Sequence, residues 1–148
     1  MILPDFKDFP TSGRIIGVDW GARRTGVAIT DDTREFVFVR PVINPMPGRG
    51  VVEQVAELIK NEKIVGIVIG LPLRMDGTDS DTTKMVREFA ESLSGQIDLP
   101  ICLLDETLSS SSAQESMGRV RVRDIKEKLD SESARVILEN AIAIIKRC

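Results

Sequence analysis

Two short apolar runs separated by three residues constrain this chain more than any other feature. Arg14-Ile-Ile-Gly-Val-Asp-Trp20 is followed, after Gly21-Ala22-Arg23, by Arg24-Thr-Gly-Val-Ala-Ile-Thr30. Both read as strands. Parallel neighbours need a crossover of a dozen or more residues, so this link makes the pair an antiparallel hairpin. The first run ends on Asp19. A carboxylate at the rim of a buried strand costs on the order of several kcal/mol unless its charge is compensated. Gly21, two residues on, lets another backbone or a phosphate approach closely.

The rest of the chain completes a sheet. Residues 35–43 read as a third strand, and Pro41 favours an edge position because it cannot donate to a ladder. Past the breakers of 44–50, Val51, Val52, Val55, Leu58 and Ile59 recur at helical spacing. Ile64-Val-Gly-Ile-Val-Ile-Gly70 is apolar on both faces, as in a parallel strand covered on each side. A loop over 71–77 leads to a helix with Met85, Val86, Phe89, Ala90 and Leu93 inward, stopping near Gly95. Pro100–Asp105 reads as a fifth strand, and Ser112 with Glu115 can serve as a capping box opening another helix. A basic stretch follows, then a final helix with Ala134, Ile137, Leu138, Ala141, Ile142 and Ile145 on its apolar stripe. The order β-β-β-α-β-α-β-α-α predicts an α/β fold, a mixed five-stranded sheet with helices on both faces. Residues 1–13 read as an N-terminal extension and 14–148 as one domain.

Composition narrows the chemistry. With no histidine and no tyrosine, imidazole general bases and His-ligated zinc are excluded. Hydrolysis must then use carboxylates, lysines or metal-bound water. Cys102 lies in an apolar run and Cys148 is the last residue, with no CxxC, as in a reducing compartment. No apolar run reaches the roughly 20 residues that span a bilayer, and the N-terminus does not read as a signal peptide. The expected location is the cytoplasm, with no membrane partner. A net charge of −3 requires any nucleic-acid contact to rest on local positive charge.

Asp19, the Asp105-Glu106 pair and Asp130 sit where elements terminate. Each has a plain alternative: a turn aspartate, an acid favouring a helix start, and an N-cap before the last helix. Together they are more telling. In the expected fold the first and fifth strands come close and the last helix packs across them, so the acids meet at one sheet edge. Clustered carboxylates repel unless protonated or metal-bound. A histidine-free oxygen cluster suits Mg2+ or Mn2+, and two such ions serve phosphodiester hydrolysis.

Through Gly17-Val-Asp-Trp-Gly21 with Arg24-Thr-Gly-Val-Ala28, the chain resembles the YqgF family, also called Holliday-junction-resolvase-like or pre-16S rRNA nuclease. The likeness continues through Val68–Gly77, Leu104-Asp-Glu-Thr-Leu-Ser109 and Asp130-Ser-Glu-Ser-Ala134. It implies an RNase H-like fold and a metal-dependent endonuclease maturing the 5′ end of 16S rRNA. It also implies Asp19, Glu106 and Asp130 as the catalytic, metal-holding acids. Thr107 stands where the family has an arginine, and Ser133 where it has an alanine. Losing the arginine removes a planar five-donor group able to clamp phosphate.

Nucleic acid, RNA rather than DNA, is the expected partner, with pre-ribosomal particles as its setting. Arg119, Arg121, Arg123, Lys126 and Lys128 precede Asp130 and read as either a solvated loop or a phosphate-gripping arm. Alternation would put the three arginines on one side if that arm were extended. Arg23, Arg24 and Arg74 are further candidate phosphate contacts. Competing readings are a DNA-junction resolvase, which needs a dimer, and a non-catalytic RNA-binding ribosome assembly factor. An actin-like ATP site opens with the same hairpin, but it needs a second domain to close the cleft.

Overall fold

The computed structural model describes residues 1–73, 78–106 and 122–147, with the backbone alone over 122–131. Along the chain run β1 (Ile2–Leu3), β2 (Ile15–Asp19), β3 (Thr25–Thr30), β4 (Val37–Ile43), α1 (Val51–Asn61), β5 (Gly66–Pro72), α2 (Asp81–Gln96), β6 (Ile101–Glu106) and α3 (Val122–Arg147). The sheet order among the described residues is β1-β6-β5-β2-β3-β4. β2 pairs antiparallel with β3, which pairs antiparallel with β4. β2, β5, β6 and β1 run parallel. The hairpin, the covered β5 and the edge position of Pro41's strand all follow the sequence pattern.

Helices cover both faces. α1 and α2 bury Val55, Ile59, Val86, Phe89 and Leu93 against Ile16, Val18, Val27, Ile29, Ile67 and Ile69. α3 buries Ala134, Ile137, Leu138, Ala141 and Ile145 against Ile15, Ala28, Val68 and Cys102 on the other. Strand alternation divides consecutive residues between these two cores.

Four details differ from what the sequence pattern predicts. A sixth strand, β1, pairs with β6, and Phe6 and Phe9 from the same N-terminal segment are buried beneath α3's face. β5 starts later and runs through Leu71-Pro72, because these residues pair with Asp105 and Glu106. Proline is tolerated there as the last strand residue. Met85 is exposed while Thr83 is buried. The Thr83 hydroxyl donates to the Pro72 carbonyl and closes a capping box with Ser80, tying the start of α2 to the end of β5. Finally, α3 begins at Val122 rather than after Asp130. Lys126-Glu127-Lys128-Leu129 are good helix formers, so the helix continues back through them.

Candidate active site

The carboxyl ends of β2, β5 and β6 form one rim of the sheet, and the candidate acids stand there. Asp19 is the last residue of β2 and Glu106 the last of β6. β5 lies between them, with Val18 paired to Ile69 and Pro72 to Glu106. Continuing the β2–β5 register by one residue sets Asp19 beside Gly70. Val68 and Cys102 belong to the core under α3, so alternation puts Gly70 and Glu106 on the same face. Gly17, packed against Leu138 and the Ala134 carbonyl, puts Asp19 on that face too.

Gly70 is the spacer in this arrangement. A Cβ there would fall 2.4 Å from Ile137 Cδ1 and 3.6 Å from Glu106 Cγ. The stem of Glu106 therefore leans from β6 toward β5, in the direction of β2. Strands are spaced about 4.8 Å apart, so β2 and β6 lie about 10 Å apart across the gap. Two carboxylate side chains can bridge that span. Glu106 Oε1 is buried. Sequence reasoning assigns Gly70 no role, although a glycine closing a β-branched strand is itself a signal of close approach.

The third acid is placed by its backbone only. Asp130 lies within α3, one turn before Ala134 and two before Ile137. The N-cap reading therefore does not hold. Residues 130, 134, 137 and 138 share one helical stripe by spacing, and the latter three meet Gly17 and Gly70. The Asp130 side chain lies outside the described residues. Among those described, no group of three potential metal ligands gathers.

The basic candidates divide. Arg23 is exposed in the β2–β3 turn and Arg24 is half-buried beside it. Gly21 allows that turn, since a Cβ there would meet the Arg24 carbonyl oxygen at 2.4 Å. Arg74, Arg119 and Arg121 lie outside the described residues. Arg123, Lys126 and Lys128 fall on the α3 backbone, so the extended alternation does not hold at 123. Cys102, on the same face as Glu106, is no nucleophile. Burial, aided by the charge of Asp5, pushes its thiol up to about 11. Among the described residues, no helix is long and apolar enough to cross a membrane.

A family model described as RuvX, Holliday junction resolvase, matches residues 13–143. A protein of Maridesulfovibrio salexigens named "Putative pre-16S rRNA nuclease" is 42% identical over 132 residues, covering 88% of this chain and 98% of that one. One of Sphingopyxis alaskensis with the same name is 35% identical over 147 residues, covering 97% and 96%. Among solved structures, Thermus thermophilus RuvC aligns with a TM-score of 0.54 at 11% identity, over 90% of this chain and 96% of that one. The Fowlpox virus resolvase in complex with Holliday junction DNA gives the same TM-score and identity, over 89% and 98%. The sheet order, the hairpin and the helices on both faces are thus those of the RNase H-like fold of the RuvC-type resolvases. With its family model spanning most of the chain and relatives of this similarity, the protein belongs to the RuvX family.

Proposed function

We propose that this protein is a metal-dependent endonuclease that hydrolyses phosphodiester bonds, acting in the cytoplasm on the 5′ end of the 16S rRNA precursor. The observation that carries the reading is the pair Asp19 and Glu106, on one face of one rim, with Glu106 reaching over Gly70. Names of curated relatives support a nuclease acting on pre-16S rRNA. An all-oxygen donor set in a histidine-free chain fits Mg2+ or Mn2+. Asp19 and Glu106 would hold the ions, with Asp130 joining from α3 on the stripe it shares with Ala134 and Ile137. When bound, two such ions lower the pKa of water and neutralise charge developing on the phosphate.

The chain's own part is orientation. α3 and the Gly70 gap fix the spacing of the carboxylates. Lone pairs left over on these acids accept the proton of the attacking water as its oxygen bonds to phosphorus. The opposite P–O bond then breaks, the leaving oxygen takes up a proton from solvent, and the protonated acid returns its own to solvent. Arg23 and Arg24, in the turn that follows Trp20, hold flanking phosphates, and Arg123, Lys126 and Lys128 extend that surface along α3.

The test is a cleavage assay offering precursor 16S rRNA and a four-way DNA junction side by side, with Mg2+, Mn2+ or chelator. Metal-dependent cleavage of the precursor is expected. Cleavage of the junction alone would reassign the chain to DNA resolution, and binding without cleavage would make it an assembly factor.

A further inference from the structure

The chain has five phenylalanines. Phe6, Phe9 and Phe89 are buried, whereas Phe36 is 61% and Phe38 52% exposed. The exposed pair stand side by side, ring centroids 6.5 Å apart and planes 33° from each other. They stand at the start of β4, an edge strand of the sheet among the described residues. Phe38 pairs with Ile29 and Arg40 with Val27. Phe36, Phe38 and Arg40 therefore form one row on the α1/α2 face.

The row is held in place before any ligand arrives. The Phe36 backbone exchanges hydrogen bonds with Asp31, donating to the carboxylate at 3.2 Å and accepting from the Asp31 amide at 3.3 Å. Thr33 donates to the other Asp31 oxygen at 2.7 Å. Buried Arg34 pins the same turn, donating to the carbonyls of Gly13 at 2.7 Å and Ser12 at 3.0 Å. Charge is graded along the row. Arg40 and Arg14 each meet Glu62 at 3.1 Å, so that trio carries a net charge of +1. Asp31, Asp32 and Glu35 make the Phe36 end negative.

Resting on the nucleic-acid reading above, we propose that Phe36, Phe38 and Arg40 form a stacking platform for unpaired bases of a single strand, with its phosphates toward Arg40. Aromatic faces accept any base, and an adjacent arginine adds cation–π and phosphate contact. A second copy of the chain adding a strand at β4 is disfavoured by Pro41, which lacks the N–H a ladder needs. Phe38 is level with Ile16, through Ile29, and two strands from β2. That sets it about 14 Å from Asp19 by strand spacing and rise. A strand on the platform rounds the sheet rim to reach the acids, so the platform binds nucleotides flanking the cleavage point.

Fluorescence anisotropy of a labelled single-stranded oligoribonucleotide, in chelator so that nothing is cut, tests the proposal. The same oligonucleotide carrying abasic sites serves as the comparison. A Phe36→Leu/Phe38→Leu variant keeps apolar area but removes the rings. It should bind the base-containing strand about tenfold or more weakly, as loss of base stacking implies, with abasic binding unchanged. Phe36→Tyr/Phe38→Tyr should restore affinity. Equal binding by wild type and the leucine pair overturns the platform alone and leaves the nuclease reading standing. A wild type that binds no oligonucleotide overturns both. A wild type sedimenting as a dimer, and a Phe36→Ser/Phe38→Ser variant as a monomer with unchanged RNA affinity, would overturn the platform and make the row an interface between copies.

Discussion

The two faces of the sheet are built from different residue sizes, and the candidate acids stand on the small one. Toward α1 and α2 the strands present Ile16, Val18, Val27, Ile29, Ile67, Ile69 and Leu71. Toward α3 they present Gly17, Ala28 and Gly70 among the larger Ile15, Val68 and Cys102, and the small positions are met by Ala134, Ile137 and Leu138. Large aliphatic layers keep α1 and α2 at ordinary packing distance. Glycine and alanine bring α3 down onto β2 and β5, which sets its stripe beside Asp19 and Glu106. Where it meets α1 and α2 the first face is filled with large aliphatic side chains, whereas the α3 face gives up side-chain volume for close approach.

Glycine-to-alanine substitutions across the two faces break that comparison most sharply. Gly17→Ala puts a Cβ 2.5 Å from Leu138 Cγ and 2.9 Å from the Ala134 carbonyl, which is backbone. Overpacking of this kind should cost about 2–3 kcal/mol in urea unfolding, with α3 displaced from the acids. Gly70→Ala meets the far end of the Ile137 side chain at 2.4 Å. Its stability cost should be smaller, about 1 kcal/mol, but cleavage should fall further than stability does, because the gap beneath Glu106 closes. Gly95, in α2 on the other face, has nothing within 4 Å of its would-be Cβ. Gly95→Ala should stabilise by about 0.5–1 kcal/mol through helix propensity. Equal effects at 17 and 95 would refute the close approach of α3.

Much of this arrangement is legible in the amino-acid sequence, for identifiable reasons. The β2–β3 hairpin rests on a three-residue link and β5 on an unbroken apolar run, both local signals. Phe6, Phe9 and β1 are not legible, because what orders them is distant: the Met1 carbonyl accepts from Ile101, and the Phe9 ring fills the space above Gly66. The start of α3 misleads because Asp130 is a favoured N-cap type, while Lys and Glu before it carry helical propensity that loop-like charge density obscures. For the site, the strand-end position of Asp19 points to function. The role of Gly70 is only half readable: a glycine at the end of a β-branched run signals close approach, but the neighbour it admits, Ile137, lies more than sixty residues away along the chain.

A smaller effect tests the α3 face through pH. The Cys102 thiol is raised from its ordinary 9.0 to about 11 by burial and then by Asp5. Because the folded value is the higher one, the unfolded chain ionises first. The stabilising contribution is complete below pH 9 and is lost as pH climbs through 11. Unfolding measured at about pH 8 and about pH 10.5 should show a larger alkaline loss for wild type than for Cys102→Ala. Equal losses would mean that Cys102 is hydrated rather than packed under α3.

The central claim is that the rim shared by Asp19 and Glu106 is where phosphodiester hydrolysis occurs. The most direct measurement is the cleavage rate of precursor 16S rRNA with Mg2+, for wild type, Asp19→Asn and Glu106→Gln, with thermal unfolding recorded on the same preparations. Both variants should stay folded, since an amide keeps the shape of the carboxylate, and if the acids repel each other as a metal-holding cluster would, they should unfold at or above the wild-type temperature. Their cleavage should drop to the protein-free background. Cleavage at the wild-type rate by either folded variant would contradict the assignment of that acid to the site.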